Sequence, residues 1–424
     1  MTELNRRTFL ASATAATAAL ATRQTARAAA ANDTVTLAIM GVNNRGSQLA
    51  TTLAKLPGVN IAYVCDCDET ALPKGIAAAT SKGAPAPKAI KDFREALDDK
   101  AVDALVCSAP NHWHAPATIL ACAAGKHVYC EKPASHTPDE GERMIAAARD
   151  AKRHVQIGLQ RRSNPHYVQA IERLRADAIG RVLYARSTYN NNRPTIGHVN
   201  PGAPPSTLDY DLWQGPALEV PYRSNTIPYN WHGFWHWGNG ELGNNGPHTI
   251  DVCRWALGVD FPTKVTASGS KLRYDDDQET PDTYNVAWEF GDRSMVWEGI
   301  SWSPQYEDTG GINMEVRGEN GTLQIDDSGY KIYDLKRKVV EKQSGHRSEI
   351  EHVANFLDAV RTGAKLNCPI EEGHKTTLLC HLGNIAYRTG QTLQIDPKTG
   401  HILNNPAAEA LWTCEYRKGW FREA

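Results

Sequence analysis

Residues 35–46 read Val35-Thr36-Leu37-Ala38-Ile39-Met40-Gly41-Val42-Asn43-Asn44-Arg45-Gly46. A short apolar run ends at a glycine, and a helical pattern follows over residues 47–56. A strand that enters a glycine turn and leaves as a helix is the context that makes such a motif informative. Gly41 permits the tight turn. Backbone N–H groups at the start of the helix, where the dipole favours negative charge, would hold a pyrophosphate. The middle glycine of G-x-G-x-x-G is missing, because Asn43 stands there. Asparagine tolerates positive φ better than other side chains, so the turn is expected to survive. An ordinary strand-to-helix turn accounts for the stretch as well. Asp66 tips the balance. It ends a second strand, at 59–64, about where an acid takes the ribose hydroxyls of a dinucleotide. An acid there repels a 2′-phosphate, which favours NAD over NADP. Capping the following segment is the alternative role for Asp66, one that Asp68 could fill equally well.

Outward from this unit the alternation continues. Strands are predicted at 104–108, 127–130 and 155–158, with helices at 114–124 and 138–151. Strands alternating with helices argue for a doubly wound parallel sheet. The character changes after about residue 160. A helix at 165–176 and a strand at 182–189 precede a loop rich in Asn, Pro and Gly over 190–229. Strand signals follow at 264–273, 283–290, 294–302, 312–317, 322–325 and 330–335, several of them separated by Gly/Asp/Asn turns. Helices are predicted at 349–361 and 374–389. The fold class is α/β: a Rossmann domain over 32–158, then an α+β domain over 159–424 with a mostly antiparallel sheet.

The chain has 424 residues and a net charge of −2, so it lacks the basic excess of a nucleic-acid binder. Residues 1–31 differ from the rest. Arg6-Arg7-Thr8-Phe9-Leu10 leads into an Ala/Thr-rich run and small-residue cleavage options. This reads as a twin-arginine (Tat) signal peptide, with a mitochondrial-like leader as the alternative. It implies the Tat translocase as a transient partner, a periplasmic protein, and no membrane association after cleavage. The nine cysteines are odd in number and show no C-x-x-C pair, so buried thiols are expected rather than disulfides or zinc.

Two stretches follow strand ends, where open α/β sheets bind ligands. One is Ser108-Ala109-Pro110-Asn111-His112-Trp113-His114. The other is Glu131-Lys132-Pro133. A lysine held after an apolar strand, with its pKa lowered by burial, could hydrogen-bond a substrate hydroxyl and polarise the carbonyl formed from it. A third stretch, Asn244-Asn245-Gly246-Pro247-His248-Thr249-Ile250-Asp251, begins a helix at Pro247 and sets His248 and Asp251 on one face. The run 229–237, which includes His232, Trp235 and His236, suits the faces and hydroxyls of a sugar ring. Metal binding by His232 and His236 is the rival reading, and no metal is assigned. Gln160 and Arg161 follow the crossover strand and are placed as substrate contacts.

From about Val35 onward, these motifs resemble the Gfo/Idh/MocA oxidoreductase family. The resemblance implies a nicotinamide cofactor held by Gly41, Asn43, Asn44, Arg45, Gly46, Asp66, Ser108, Asn111, His114, Glu131 and Lys132. It implies that Lys132 lies beside nicotinamide and substrate, and that His248 is the general base of a D-x-x-x-H pattern. Asn244 stands where that pattern has its acid, and is placed with Trp235, His236 and His248 as a substrate contact. A homo-oligomer is implied by the same analogy. The expected activity is hydride transfer between tightly bound NAD and a sugar or glycoside, because an exported protein has no free cofactor pool to draw on. Redox-neutral, NAD-dependent glycoside cleavage is one alternative, and a non-catalytic sugar- or dinucleotide-binding protein is another.

Overall fold

The computed structural model describes residues 34–304 and 314–420. The signal peptide expected at 1–31 lies outside the described residues. The first sheet holds β1 (Val35–Met40), β2 (Val59–Cys65), β3 (Lys88–Ile90), β4 (Ala104–Cys107), β5 (His127–Cys130) and β6 (Val155–Ile157). Its order is β3-β2-β1-β4-β5-β6, and every pairing is parallel. β4 is buried at all four positions and β1 at five of six. A parallel strand covered by helices on both faces reads in this way, as a continuous apolar run.

The second sheet holds β7 (Val182–Asn190), β8 (Lys264–Ser270), β9 (Thr283–Glu289), β10 (Ser294–Ile300), β11 (Met314–Gly318), β12 (Gly321–Asp326), β13 (Gly329–Asp334), β14 (Val339–Ser344) and β15 (Leu393–Gln394). The order is β14-β13-β12-β11-β7-β10-β9-β8-β15, antiparallel except where β7 meets β10. Here burial alternates residue by residue, as in β10 and β12. One face packs on the helices Gly246–Leu257 and Ile370–Thr389 around fully buried Trp288 and Trp297. β14 went unpredicted because it is an edge strand with no buried residue, and so carries no apolar alternation.

Three local findings differ from expectation. The helix predicted at 114–124 starts three residues earlier and runs Asn111–Ala123, so Asn111 to His114 form its first turn and not a loop. Asn43 does not take positive φ; in this turn only Gly41 does, at +82°. The division of the chain near residue 159 is not strictly linear. The helix Ile350–Thr362 returns to the first sheet, where Val353, Phe356 and Leu357 pack with Val35, Leu37 and Ile39.

The long segment expected as a loop carries a short helix at Tyr210–Gln214, and its Leu208, Trp213 and Tyr222 form a small core with Phe234 and Trp237 of the run that follows. It docks on the first sheet. Asp209 N donates to Cys67 O at 2.9 Å and Glu69 N to Thr207 O at 3.0 Å. The Trp113 indole N–H donates to the Trp213 carbonyl at 3.1 Å. This excursion roofs the C-terminal ends of β1, β2 and β4. Among the described residues, no cysteine is in a disulfide, and no helix is long and apolar enough to cross a membrane.

Candidate active site

One cleft runs from the turn after β1 to the start of the helix Gly246–Leu257. At one end, Gly41 is irreplaceable on two counts. Its φ is positive, and a Cβ there would lie 2.8 Å from the Ser108 carbonyl and the Ala109 nitrogen. A Cβ on Gly46 would lie 2.3 Å from the Gly41 oxygen, so the helix Arg45–Leu53 can sit this close to the turn only with glycine there. Asn44, just before that helix, makes no side-chain cap, which leaves the first N–H groups without that partner. Asn43 accepts from Lys74 Nζ at 2.6 Å.

Asp66 closes the turn. Its Oδ2 accepts from Val42 N at 2.8 Å and its Oδ1 from Asp68 N at 3.1 Å. Burial pushes its pKa up to about 6, against the pull of those N–H groups and of Asn43 N. A carboxylate has about four lone-pair sites, so acceptor capacity remains for hydroxyls in the cleft. Ser108 Oγ is buried in the cleft wall with no partner. A glycine cradle, uncapped helix N–H groups, an acid at the end of β2 and an orphan hydroxyl together fit a nicotinamide dinucleotide.

Some of the expected cofactor residues, while lining the cleft, also serve as struts. Arg45 bonds Glu131 at 2.8 Å and Glu349 at 2.7 Å. Glu131 also accepts from Gln160 at 3.0 Å and packs over Gly158. The two ring nitrogens of His114 lie 2.6 Å from the Pro133 carbonyl and 2.8 Å from the Ala109 carbonyl, and the neutral ring that burial favours donates to one of them. His114 therefore holds the Glu131-Lys132-Pro133 segment against the preceding turn. Asn111 lines the cleft and donates to Asn239 at 3.0 Å.

At the other end of the cleft, Lys132 Nζ donates to the Asn244 carbonyl at 2.6 Å and lies 3.4 Å from Asn244 Oδ1. Burial lowers its pKa, with Arg45 and Arg193 adding to that and Glu131 and Glu241 opposing. His248 lines the same wall. Burial and then the Lys132, Arg161 and Arg347 charges hold its pKa well below the ordinary histidine value, so the ring is a neutral base. Sequence reasoning missed Tyr229 as a member of this group. Its hydroxyl accepts from Asn244 Nδ2 at 3.2 Å and Arg193 at 3.1 Å. With both lone pairs taken, its proton is left to donate to a bound molecule.

Glu241 was also missed. It is buried one turn before Asn244 in the helix Gly240–Asn244, paired with Arg193 and 3.5 Å from His232. Burial opposes its charge, but His232, Arg193 and Asn245 hold its pKa down at about 2. A carboxylate therefore lies close enough to act on Lys132, although position 244 lacks one. Arg347, too, reaches the cleft, from the segment before the helix Ile350–Thr362. No local signal could have connected it to the site.

Five residues singled out in the sequence do not line this cleft. Trp235 and His236 line a second cavity on the far side of His112. The sugar-face reading of that run thus reaches the cleft only through Tyr229 and Trp231. His232 contacts Glu241, and His236 donates to Leu218 O at 2.7 Å, so these two histidines do not share a ligand position. Residues 230–233 form a single 3₁₀ turn, which breaks the helical spacing the metal reading needed. Arg161 braces the site from behind, donating to His248 O at 2.9 Å and to Asp327 at 3.1 Å. Asp251 faces away from the cleft into a buried fork with Arg162, at 2.8 and 3.0 Å, and accepts from Thr376 at 2.7 Å.

The fold and cleft define a two-domain protein of the dinucleotide-dependent class. Residues 35–159 match the description "Oxidoreductase family, NAD-binding Rossmann fold", and residues 190–422 match "Oxidoreductase family, C-terminal alpha/beta domain". The chain belongs to the Gfo/Idh/MocA oxidoreductase family. It is 32% identical over 164 residues to a glycosyl hydrolase family 109 protein of Saccharopolyspora erythraea, covering 38% of this chain and 36% of that one. It is 32% identical over 182 residues to an inositol 2-dehydrogenase of Salmonella typhimurium, covering 42% and 53%. The matches thus span about half or less of those relatives. A levoglucosan dehydrogenase solved with NADH and levoglucosan shares the fold, with a TM-score of 0.66 at 18% identity over 85% of this chain and 99% of that one.

Proposed function

We propose that this protein is an oxidoreductase that holds NAD tightly in the cleft and exchanges a hydride with a hydroxyl or carbonyl carbon of a sugar or polyol. The observation that carries this reading is the joining of Gly41, Asp66 and Ser108 to Lys132, Asn244, Tyr229 and His248 along one continuous cleft. Gly41, the first N–H groups of the helix Arg45–Leu53, Ser108 and Asp66 would hold the dinucleotide. When bound, the nicotinamide supplies a hydride acceptor or donor. Lys132, anchored on the Asn244 carbonyl, orients the reacting oxygen and stabilises negative charge on it. Neutral His248 takes the hydroxyl proton on a ring nitrogen and returns it in the reverse direction. Tyr229 donates to a neighbouring substrate oxygen.

Asp66 supports NAD over NADP, because its ionised form repels a 2′-phosphate. The N-terminal Arg6-Arg7 stretch supports export by the twin-arginine route. A protein that is folded and loaded before export fits a cofactor regenerated within the catalytic cycle. The decisive experiment is mass spectrometry of the cofactor released from purified protein, followed by a sugar and polyol screen for reduction of the bound NAD. Protein that carries no dinucleotide, and gains no stability when NAD is added, would overturn the proposal. Phenol release from nitrophenyl glycosides without net NADH would instead establish redox-neutral cleavage.

A further inference from the structure

The second cavity lies behind the wall of the cleft. Their common partition is thin: His112 Nε2 donates to the carbonyl of Trp213, a cleft residue, at 2.9 Å, and Asn111 of the cleft bonds Asn239 of the cavity at 3.0 Å. Because Nε2 of His112 is the donor, its Nδ1 is a lone-pair acceptor. That atom is buried and has no partner, in a residue only 3% exposed. Asn384 repeats the situation. Its Nδ2 donates to Asn239 O at 2.9 Å, and its Oδ1 is a buried acceptor without a partner, in a residue 4% exposed. A buried acceptor left unmet is unfavourable, and two such residues line one cavity.

The remaining lining is mixed. Leu218, Ile385 and Leu411 are apolar, and the Arg388 guanidinium lies 5.1 Å from the Trp235 ring centroid. Metal binding by His136, Glu140 and Cys414, which lie close enough for it, does not suit these groups. Glu140 already accepts from His136 N at 2.6 Å, Thr137 N at 3.1 Å and the Tyr416 hydroxyl at 2.7 Å. His136 Nε2 is committed to Trp235 O at 3.0 Å. Acceptors that want hydrogen, an apolar surface, and a guanidinium donor near the face of an indole match a neutral molecule carrying several hydroxyls.

We infer that this cavity is a second binding site, distinct from the catalytic cleft, for a small polyhydroxylated molecule whose hydroxyls donate to His112 Nδ1 and Asn384 Oδ1. The site does not depend on the reaction proposed above, because none of its residues takes part in that reaction. The test uses the full cofactor-loaded chain with myo-inositol and D-glucose as probes, in calorimetric titration and in crystals soaked with each. The expected result is a ring bound between His112, Asn384 and Trp235, retained when Lys132→Ala removes the cleft lysine. Arg388→Ala, at an exposed position, should weaken this binding about tenfold while leaving NAD binding unchanged. Asn384→Leu should abolish it. Ordered water alone in the soaked crystals, a metal on His136 and Glu140, or binding lost with Lys132→Ala and untouched by Arg388→Ala would each overturn the inference.

Discussion

Asp66→Asn tests the cofactor assignment most directly, because it deletes a charge while keeping an oxygen for the Val42 N–H. In the protein as it stands, Asp66 spends one oxygen on Val42 N at 2.8 Å and the other on Asp68 N at 3.1 Å. With Asn43 N also drawing on the carboxylate, about one of its four lone-pair sites remains for a hydroxyl. Hydrogen bonds to a charged acceptor contribute about 1.5–3 kcal/mol against about 1 kcal/mol for neutral ones. Losing the charge at that contact should therefore cost roughly 1–2 kcal/mol, or roughly 5- to 30-fold in NAD affinity. NADP should move the other way. Repulsion between unit charges about 4 Å apart near a protein surface is about 4 kcal/mol, and it disappears in the variant. The NAD-to-NADP preference should then fall by roughly three orders of magnitude or more.

The measurement is calorimetric titration of cofactor-stripped protein with each dinucleotide. The pH dependence adds a second check with a definite sign. Burial raises the Asp66 pKa from 3.8 to about 6 in the empty protein. NAD affinity, which uses the ionised form, should be full above that value and fall as pH drops through it. The stability of the empty protein should show the opposite trend. The Asp66 contribution is fully present below 3.8 and is lost as pH rises through about 6. Both trends should vanish in Asp66→Asn. An unchanged NAD preference in this variant, with the fold intact, would refute the placement of the ribose at Asp66.

Gly41→Ala should abolish dinucleotide binding in a titration followed by cofactor fluorescence, because the new Cβ meets backbone at 2.8 Å in a positive-φ position; retained binding would exclude the turn as the cradle. Lys132→Met and His248→Phe should each lower turnover about 10²- to 10⁴-fold while the cofactor remains bound, and loss of cofactor with turnover would reassign them as structural. Because His248 is held neutral, the acid limb of kcat/KM should lie below the ordinary histidine value of 6.5, and any limb from Lys132 below 10.5; an acid limb at or above 6.5 that disappears in His248→Phe would contradict the buried neutral base. Asp251→Asn breaks the buried fork with Arg162 and should cost about 3–5 kcal/mol, seen as a melting temperature lowered by roughly 3–6 °C with cofactor identity unchanged.

Much of this was legible locally. The β1 turn, the acid at the end of β2 and the Glu131-Lys132-Pro133 segment are each set by neighbours in the chain. Tight turns, strand ends and fully apolar parallel strands leave short-range signatures. The alternation in β9, β10 and β12 likewise announces an antiparallel sheet with one covered face. Edge strand β14 escaped because an edge buries too little to pattern the sequence. The turn from Gly41 to Gly46 was degenerate as a motif, and Asn43 proved to need no special φ.

Tertiary structure decided which polar groups face the cleft. His114 and Arg161 look like ligand residues in sequence, yet their nitrogens face carbonyls and carboxylates brought from elsewhere. Trp235 and His236 sit a few residues from Tyr229 but open onto a different cavity, because the turn at 230–233 sends the chain around His232. Arg347 and Glu241 joined the site with no motif to mark them. Local sequence determines backbone conformation over a few residues. Which side chain is left with an unmet hydrogen bond in a buried wall depends on partners that only the folded chain supplies.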